Sequence, residues 1–262
     1  MSIIMCQLLG MNCNVPTDIC FSFDGFSRRG GQTGDHRDGF GIAFFEGRGV
    51  KLFLDSKPTI ESSIAQHIKE NPIHSLNVIA HIRKATKGKI ALENCHPFIR
   101  EMWGRYWIFA HNGNLESFEP TLPLHYHAVG DTDSELAFCH MLDYLYDRFG
   151  SHYPPLRPLT DAIKEISQKI SSHGPFNFLL SNGEFLFCHC STKLSYIVRQ
   201  APFTHAHLVD EDVTVDFGLV TTTKDRVAVI ATEPLTDNEI WTPIVPGELL
   251  VFNQGQPITL DN

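Results

Sequence analysis

The order of short apolar runs along the chain constrains its fold more than any other feature, because two blocks of such runs flank two long helical stretches. Ser181-Asn182-Gly183 joins the runs at residues 176–180 and 184–188, and Asn-Gly between apolar runs is typical of a tight β-hairpin. A second hairpin is predicted between residues 38–45 and 50–54. Hairpins connect antiparallel strands, so the sequence predicts an α+β fold with mostly antiparallel sheets.

The remaining elements follow from apolar spacing and from stop signals. Helices are predicted at residues 60–70, 132–149 and 160–170, and Gly150 ends the second of them. Further strands are predicted at residues 5–11, 77–82, 106–110, 194–198, 217–221, 227–231 and 248–252. The sequence contains no linker or internal repeat, so we expect residues 1–262 to form a single domain.

Composition excludes several classes of function. The net charge is -9 and no run of five basic residues occurs, which argues against a nucleic-acid partner. No apolar run is long enough to cross a membrane, and the N-terminus lacks the features of a signal peptide. The seven cysteines are odd in number and scattered, so we expect free thiols and a cytoplasmic location. Cys188-His189-Cys190 is interpreted as part of a packed strand and not as a metal site.

Cys6 is the candidate nucleophile. A thiol near neutral pH is mostly protonated and needs a base. If Cys6 is the first residue of the mature chain, its own α-amino group can be that base, since its ordinary pKa is about 7.7–8.0. Residues 1–5 are then a removed segment or an extension ahead of the nucleophile. Taken alone, Cys6 is better explained as a buried residue of a first strand.

Four separated motifs place Cys6 in a wider pattern. The motifs are Met5-Cys6-Gln7-Leu8-Leu9-Gly10, His36-Arg37-Asp38-Gly39-Phe40-Gly41, His81-Ile82-Arg83-Lys84-Ala85-Thr86 with Asn94-Cys95-His96-Pro97, and His111-Asn112-Gly113-Asn114 with Thr132-Asp133-Ser134-Glu135. Taken together, they resemble the class II glutamine amidotransferases, which are N-terminal-nucleophile (Ntn) hydrolases, and in particular their stand-alone, YafJ-like bacterial members.

The resemblance implies a four-layer αββα sandwich and a set of site residues. Cys6 is expected as the nucleophile, and the Asn112 side-chain amide with the Gly113 backbone N–H as the oxyanion hole. Arg83 offers a fork for the α-carboxylate of glutamine, and Asp133 offers a counter-charge for its ammonium. Asp133 also suits the first turn of a helix capped by Thr132-Asp133-Ser134-Glu135.

Three further residues are of second rank. Thr86 and His96 are expected near the substrate. Structural roles explain Thr86, His96 and Asp38 equally well.

The expected reaction is hydrolysis of the glutamine side-chain amide through a glutamyl thioester, without a metal or an organic cofactor. Ammonia would be released or passed to a synthase partner. Two alternatives stay open: hydrolysis of a larger γ-glutamyl amide or peptide, and an inactive glutamyl-binding or regulatory subunit if Cys6 is not freed.

Overall fold

The chain forms fifteen strands and five helices within residues 6–120 and 125–260, the part that the computed structural model describes. The helices are α1 Cys20–Arg28, α2 Ser63–Glu70, α3 Asp133–Phe149, α4 Leu156–Ser171 and α5 Phe217–Val220, with 3-10 turns at Thr59–Glu61 and Leu92–Asn94. The strands are β1 Gln7–Thr17, β2 Phe40–Glu46, β3 Gly49–Asp55, β4 Ser75–Ile82, β5 Phe98–Met102, β6 Arg105–Gly113, β7 Phe176–Ser181, β8 Leu186–His189, β9 Ser195–Gln200, β10 His205–His207, β11 Thr214–Asp216, β12 Arg226–Ala231, β13 Thr242–Pro243, β14 Leu249–Asn253 and β15 Gln256–Pro257.

Two large sheets contain most of these strands. One has the order β13-β9-β12-β1-β4-β2-β3 and the other the order β15-β14-β8-β7-β6-β5, while β10 and β11 pair separately. All pairings between neighbouring strands in both large sheets are antiparallel. This confirms the antiparallel arrangement predicted from the hairpins.

Three apolar clusters define four layers. The first lies between the two sheets and includes Leu8, Ile79 and Leu179. The second buries α1 and α2 against the seven-stranded sheet, and the third buries α3 and α4 against the six-stranded sheet. The order helix, sheet, sheet, helix confirms the expected αββα sandwich.

Strand β1 is central to this arrangement, since it pairs with β12 on one side and β4 on the other. Its side chains alternate: Leu8 packs between the sheets and Leu9 packs towards the helices, and both are fully buried. Gly10 lets the sheets approach, because a Cβ there would lie 2.9 Å from Leu179 Cδ1. Cys6 immediately precedes this strand and so sits at one end of the sandwich.

Some sequence predictions were wrong. A strand was predicted at residues 217–221, but Phe217–Val220 form helix α5, because the Asp216 carboxylate accepts a hydrogen bond of 2.9 Å from Gly218 N and starts a helical turn. The helix predicted from residue 60 begins at Ser63, where Ser62 caps it. Helix α1 and strand β5 were not predicted. The expected extension of residues 1–5 lies outside the described residues.

No helix in the described part of the chain is long and apolar enough to span a membrane.

Candidate active site

A small cavity at the start of β1 brings together most of the site residues predicted from the sequence. Its walls include residues from the β1 start, the loop after β4, the end of β6 and the start of α3, among them Cys6, Arg83, Thr86, His96, Gly113 and Asp133. Asn112 does not line the cavity and lies fully buried next to it. Six predicted residues from three of the four motifs therefore converge on one place.

The Cys6 thiol is half-buried and is held by one backbone segment. Its Sγ donates to Lys84 O at 3.3 Å and accepts from Lys84 N at 3.2 Å. Desolvation by burial raises the pKa of the Cys6 thiol to about 11, against weaker opposing effects that include the Arg83 charge. The thiol is therefore protonated at neutral pH and needs a base. Within the described residues, no side-chain base hydrogen-bonds to Sγ.

The Arg83 guanidinium is buried and is occupied by backbone carbonyls. It donates to Lys89 O at 2.9 Å, Lys87 O at 3.0 Å and Gly88 O at 3.4 Å. Asp38 supports the same loop, because its Oδ2 accepts from Ala85 N at 2.7 Å. In this state Arg83 stabilises the loop after β4, and its role as a carboxylate fork stays a prediction.

Asp133 lies in the first turn of α3 with its carboxylate facing the cavity. Its Oδ2 accepts from Leu115 N at 2.7 Å and lies 3.9 Å from Lys87 Nζ. Thr132 caps the helix as predicted, since its Oγ1 accepts from Glu135 N at 3.2 Å. The Asp133 carboxylate lies at the positive end of the helix dipole, where a negative charge interacts favourably.

Asn112 is fixed by polar contacts beside the nucleophile strand. Its Nδ2 donates to Thr232 Oγ1 at 3.2 Å, and the same hydroxyl oxygen accepts from Leu8 N at 2.9 Å. Its backbone carbonyl oxygen accepts from Asn177 Nδ2 at 3.0 Å. Each amide nitrogen carries two protons, so one donor of Asn112 is left for another acceptor.

Glycine is the only residue type that fits at position 113, at the end of β6. A Cβ there would lie 1.7 Å from Pro175 O and 2.6 Å from His111 Nε2. The close approach expected of this glycine is therefore present. Any side chain at position 113 would push β6 away from the backbone at Pro175 and would displace Asn112 with it.

Three buried histidines form the floor of the cavity. The His81 and His96 ring centroids are 4.1 Å apart, and His96 Nδ1 accepts from His111 N at 3.2 Å. Burial lowers the pKa of all three imidazoles, so they are neutral. Neither His81 ring nitrogen has a hydrogen-bond partner among the described residues. His96 thus has packing and hydrogen-bonding roles here, while Thr86 contributes to the cavity wall.

Two residues with clear structural roles at the site were missed in the sequence. Thr232 follows β12 and contacts β1 across a separation of 224 residues, which no local pattern reveals. Lys87 lines the cavity one residue after Thr86, and its ammonium hydrogen-bonds to Leu115 O. Its position directly after the Arg83-to-Thr86 motif was the available signal.

The comparisons with known proteins agree with this fold and site. The sequence matches the family described as "Glutamine amidotransferases class-II" over residues 5–262. The chain therefore belongs to the class II glutamine amidotransferases.

Individual relatives cover almost the whole chain. It is 52% identical to a "Putative glutamine amidotransferase" of Haemophilus influenzae, over 97% of this chain and 86% of that protein. It is 48% identical to the "Putative glutamine amidotransferase YafJ" of Escherichia coli, over 97% of this chain and 100% of that protein. A crystal structure of a "predicted glutamine amidotransferase" from Pseudomonas aeruginosa is similar with a TM-score of 0.78 and 46% identity, covering 97% of this chain and all of that one.

Proposed function

We propose that this enzyme hydrolyses the side-chain amide of glutamine to glutamate and ammonia, with Cys6 as an N-terminal nucleophile. The observation that carries the proposal is that Cys6, Arg83, Gly113 and Asp133 line one cavity. The cavity thereby offers a nucleophile and opposite charges for the two ends of an α-amino acid. Family membership supports amide chemistry on glutamine.

The base in this proposal is the α-amino group of Cys6, which exists once residues 1–5 are removed. The thiol pKa of about 11 makes spontaneous ionisation rare at neutral pH. An amine with a pKa of about 7.7–8.0 is unprotonated often enough to accept the thiol proton, and it is attached to the same residue.

The reaction then proceeds in two halves. The Cys6 thiolate attacks the amide carbon, and the oxyanion is stabilised by the free N–H of Asn112 Nδ2 and the Gly113 backbone N–H. The protonated amine returns its proton to the leaving nitrogen, the C–N bond breaks, and ammonia departs. Water then attacks the glutamyl thioester, releasing glutamate and restoring the Cys6 thiol.

Substrate orientation in this proposal comes from two charges. The Arg83 guanidinium holds the α-carboxylate, and the Asp133 carboxylate holds the α-ammonium. Thr86 and His96 contribute to the wall of the same cavity.

We further propose that no metal or organic cofactor takes part and that the ammonia is released or passed to a separate synthase partner. All seven cysteines are free thiols, which supports a reducing, cytoplasmic setting. We propose that residues 1–262 form one glutaminase domain, with residues 1–5 ahead of the nucleophile.

A second candidate function is hydrolysis of a larger γ-glutamyl amide. It is favoured by a cavity of about 770 Å³ lined by Gln7, the residue after the nucleophile, and by Thr232. Lys193 and Arg37 also line this space, so a polar amine as leaving group fits its chemistry. Comparison of kcat/KM for glutamine and for γ-glutamyl amino acids decides between the two candidates.

The direct test is turnover of glutamine by purified protein, followed as equal amounts of glutamate and ammonia. Cys6→Ala should abolish turnover while circular dichroism shows an intact fold. Wild-type turnover in Cys6→Ala protein would disprove the mechanism.

A further inference from the structure

The candidate site is nearly filled by the chain itself. Its free volume is about 20 Å³. One buried water needs on the order of 10–15 Å³ by the same measure, so a glutamine molecule does not fit without a rearrangement. Two of the site residues, Arg83 and Asp133, contact residues 87–89, which we call the 87–89 segment.

This segment is hydrogen-bonded to Arg83, the proposed partner of the substrate carboxylate. The Arg83 guanidinium donates to the carbonyls of Lys87, Gly88 and Lys89 at 3.0, 3.4 and 2.9 Å. Carbonyl oxygens therefore stand where the oxygens of an α-carboxylate would accept the same hydrogen bonds.

The segment also contacts Asp133, the proposed partner of the substrate ammonium. Lys87 Nζ lies 3.9 Å from Asp133 Oδ2 and hydrogen-bonds to Leu115 O, and the Asp133 side chain is only 11% exposed. An ammonium thus already sits beside the carboxylate expected to bind the α-ammonium of glutamine. The two contacts together occupy both proposed subsites, with neutral carbonyl oxygens at Arg83 and an ammonium at Asp133.

We propose that Lys87 is an internal competitor for the ammonium subsite and so sets the affinity and selectivity for substrates with a free α-ammonium. This inference rests on the proposed function, because it assigns the subsite to the same substrate. Glutamine must displace the Lys87 ammonium from Asp133. Glutaramate, which is glutamine without its α-amino group, leaves that pair in place.

The test is Lys87→Met, which keeps side-chain length and removes the charge. KM for glutamine should fall by about threefold to tenfold, the size expected for loss of a partly exposed ion pair and a charged hydrogen bond, with kcat unchanged. KM for glutaramate should not fall, so selectivity for glutamine over glutaramate should rise.

Lys89→Met is the matched control, since it removes a charge from the same segment and no ion pair involves the Lys89 side chain in the part of the chain that the structure describes. It should leave both KM values unchanged. A KM for glutamine that is unchanged or higher in Lys87→Met overturns the proposal. So does an equal fall in Lys89→Met.

A binding measurement keeps this test separate from the proposed function. Calorimetric titration of glutamine into Cys6→Ala protein, with and without Lys87→Met, should show the same fall in Kd. If wild-type protein does not hydrolyse glutamine, the proposed function fails, and the Kd comparison still supports or overturns the role of Lys87.

Discussion

Thr232→Val is predicted to reduce both stability and turnover, because one hydroxyl serves the nucleophile strand and the proposed oxyanion donor. Thr232 Oγ1 accepts from Leu8 N at 2.9 Å and from Asn112 Nδ2 at 3.2 Å, and Thr232 is only 4% exposed. Valine has nearly the same shape and no acceptor. An unsatisfied buried donor costs about 1–3 kcal/mol, so the two donors together cost roughly 2–6 kcal/mol of unfolding free energy.

The catalytic consequence follows from the loss of orientation. Without the hydroxyl, the Asn112 amide is free to rotate, and full loss of one oxyanion donor lowers kcat by about 10²–10³. Thr232→Val should therefore lower kcat by an amount up to that limit and change KM little, since the substrate charges bind elsewhere.

The assays are urea unfolding followed by fluorescence and steady-state release of ammonia from glutamine. Thr232→Ser is the control: it keeps the acceptor, so it should retain most of kcat and lose only about 1 kcal/mol for the missing methyl group. Wild-type unfolding free energy and kcat in Thr232→Val would refute the reasoning.

Three further predictions follow from the site and the core. Asn112→Ala should lower kcat by about 10²–10³ with little change in KM, measured by ammonia release; unchanged kcat would exclude it as an oxyanion donor. Phe138→Ala should cost about 3–5 kcal/mol in urea unfolding, because the ring is fully buried against Phe109 at 5.0 Å; a cost below about 1 kcal/mol would contradict that packing. Burial lowers the folded-state pKa of His81, His96 and His111, so the unfolded chain binds protons first as the pH falls. Unfolding free energy should therefore decrease as the pH falls below the ordinary histidine pKa of about 6.5, and a flat profile between about pH 8 and pH 5.5 would contradict neutral buried histidines.

The parts of the fold that could be predicted are those set by local pattern. The Asn-Gly turn at residues 182 and 183 fixes the β7–β8 hairpin, and Thr132 caps α3 as its sequence indicates. Residues 217–221 show the limit of such patterns. A short, mostly apolar stretch fits a strand or a helix, and the hydrogen bond from Gly218 N to the Asp216 side chain favours the helix.

Helix α1 was missed for a different physical reason. It has no side-chain cap and carries Gly25 in its interior, which lowers its local helix signal. The glycine suits the tertiary packing, because a Cβ there would lie 3.0 Å from Leu208 Cδ2. Helix α1 is therefore favoured by a contact between residues 183 positions apart in the sequence. Local periodicity cannot reveal such a contact.

The residues of the candidate site likewise fall into those that a local motif predicts and those that depend on tertiary contacts. Residues in motifs with a family likeness, such as Cys6, Arg83 and Asp133, were identified and lie together. Thr232 was missed because its importance comes from the pairing of β12 with β1. The occupation of Arg83 and Asp133 by the 87–89 segment also depends on how the loop closes, which the sequence alone does not determine.

The most direct test of the central claim is the mass of the N-terminal peptide in protein that turns over glutamine. The proposed base is the α-amino group of Cys6, so active protein should begin at Cys6, and activity should rise in proportion to the fraction with that terminus. Protein that begins at Met1 or Ser2 should bind glutamine without hydrolysing it. Full turnover by a chain that still carries residues 1–5 would contradict the account.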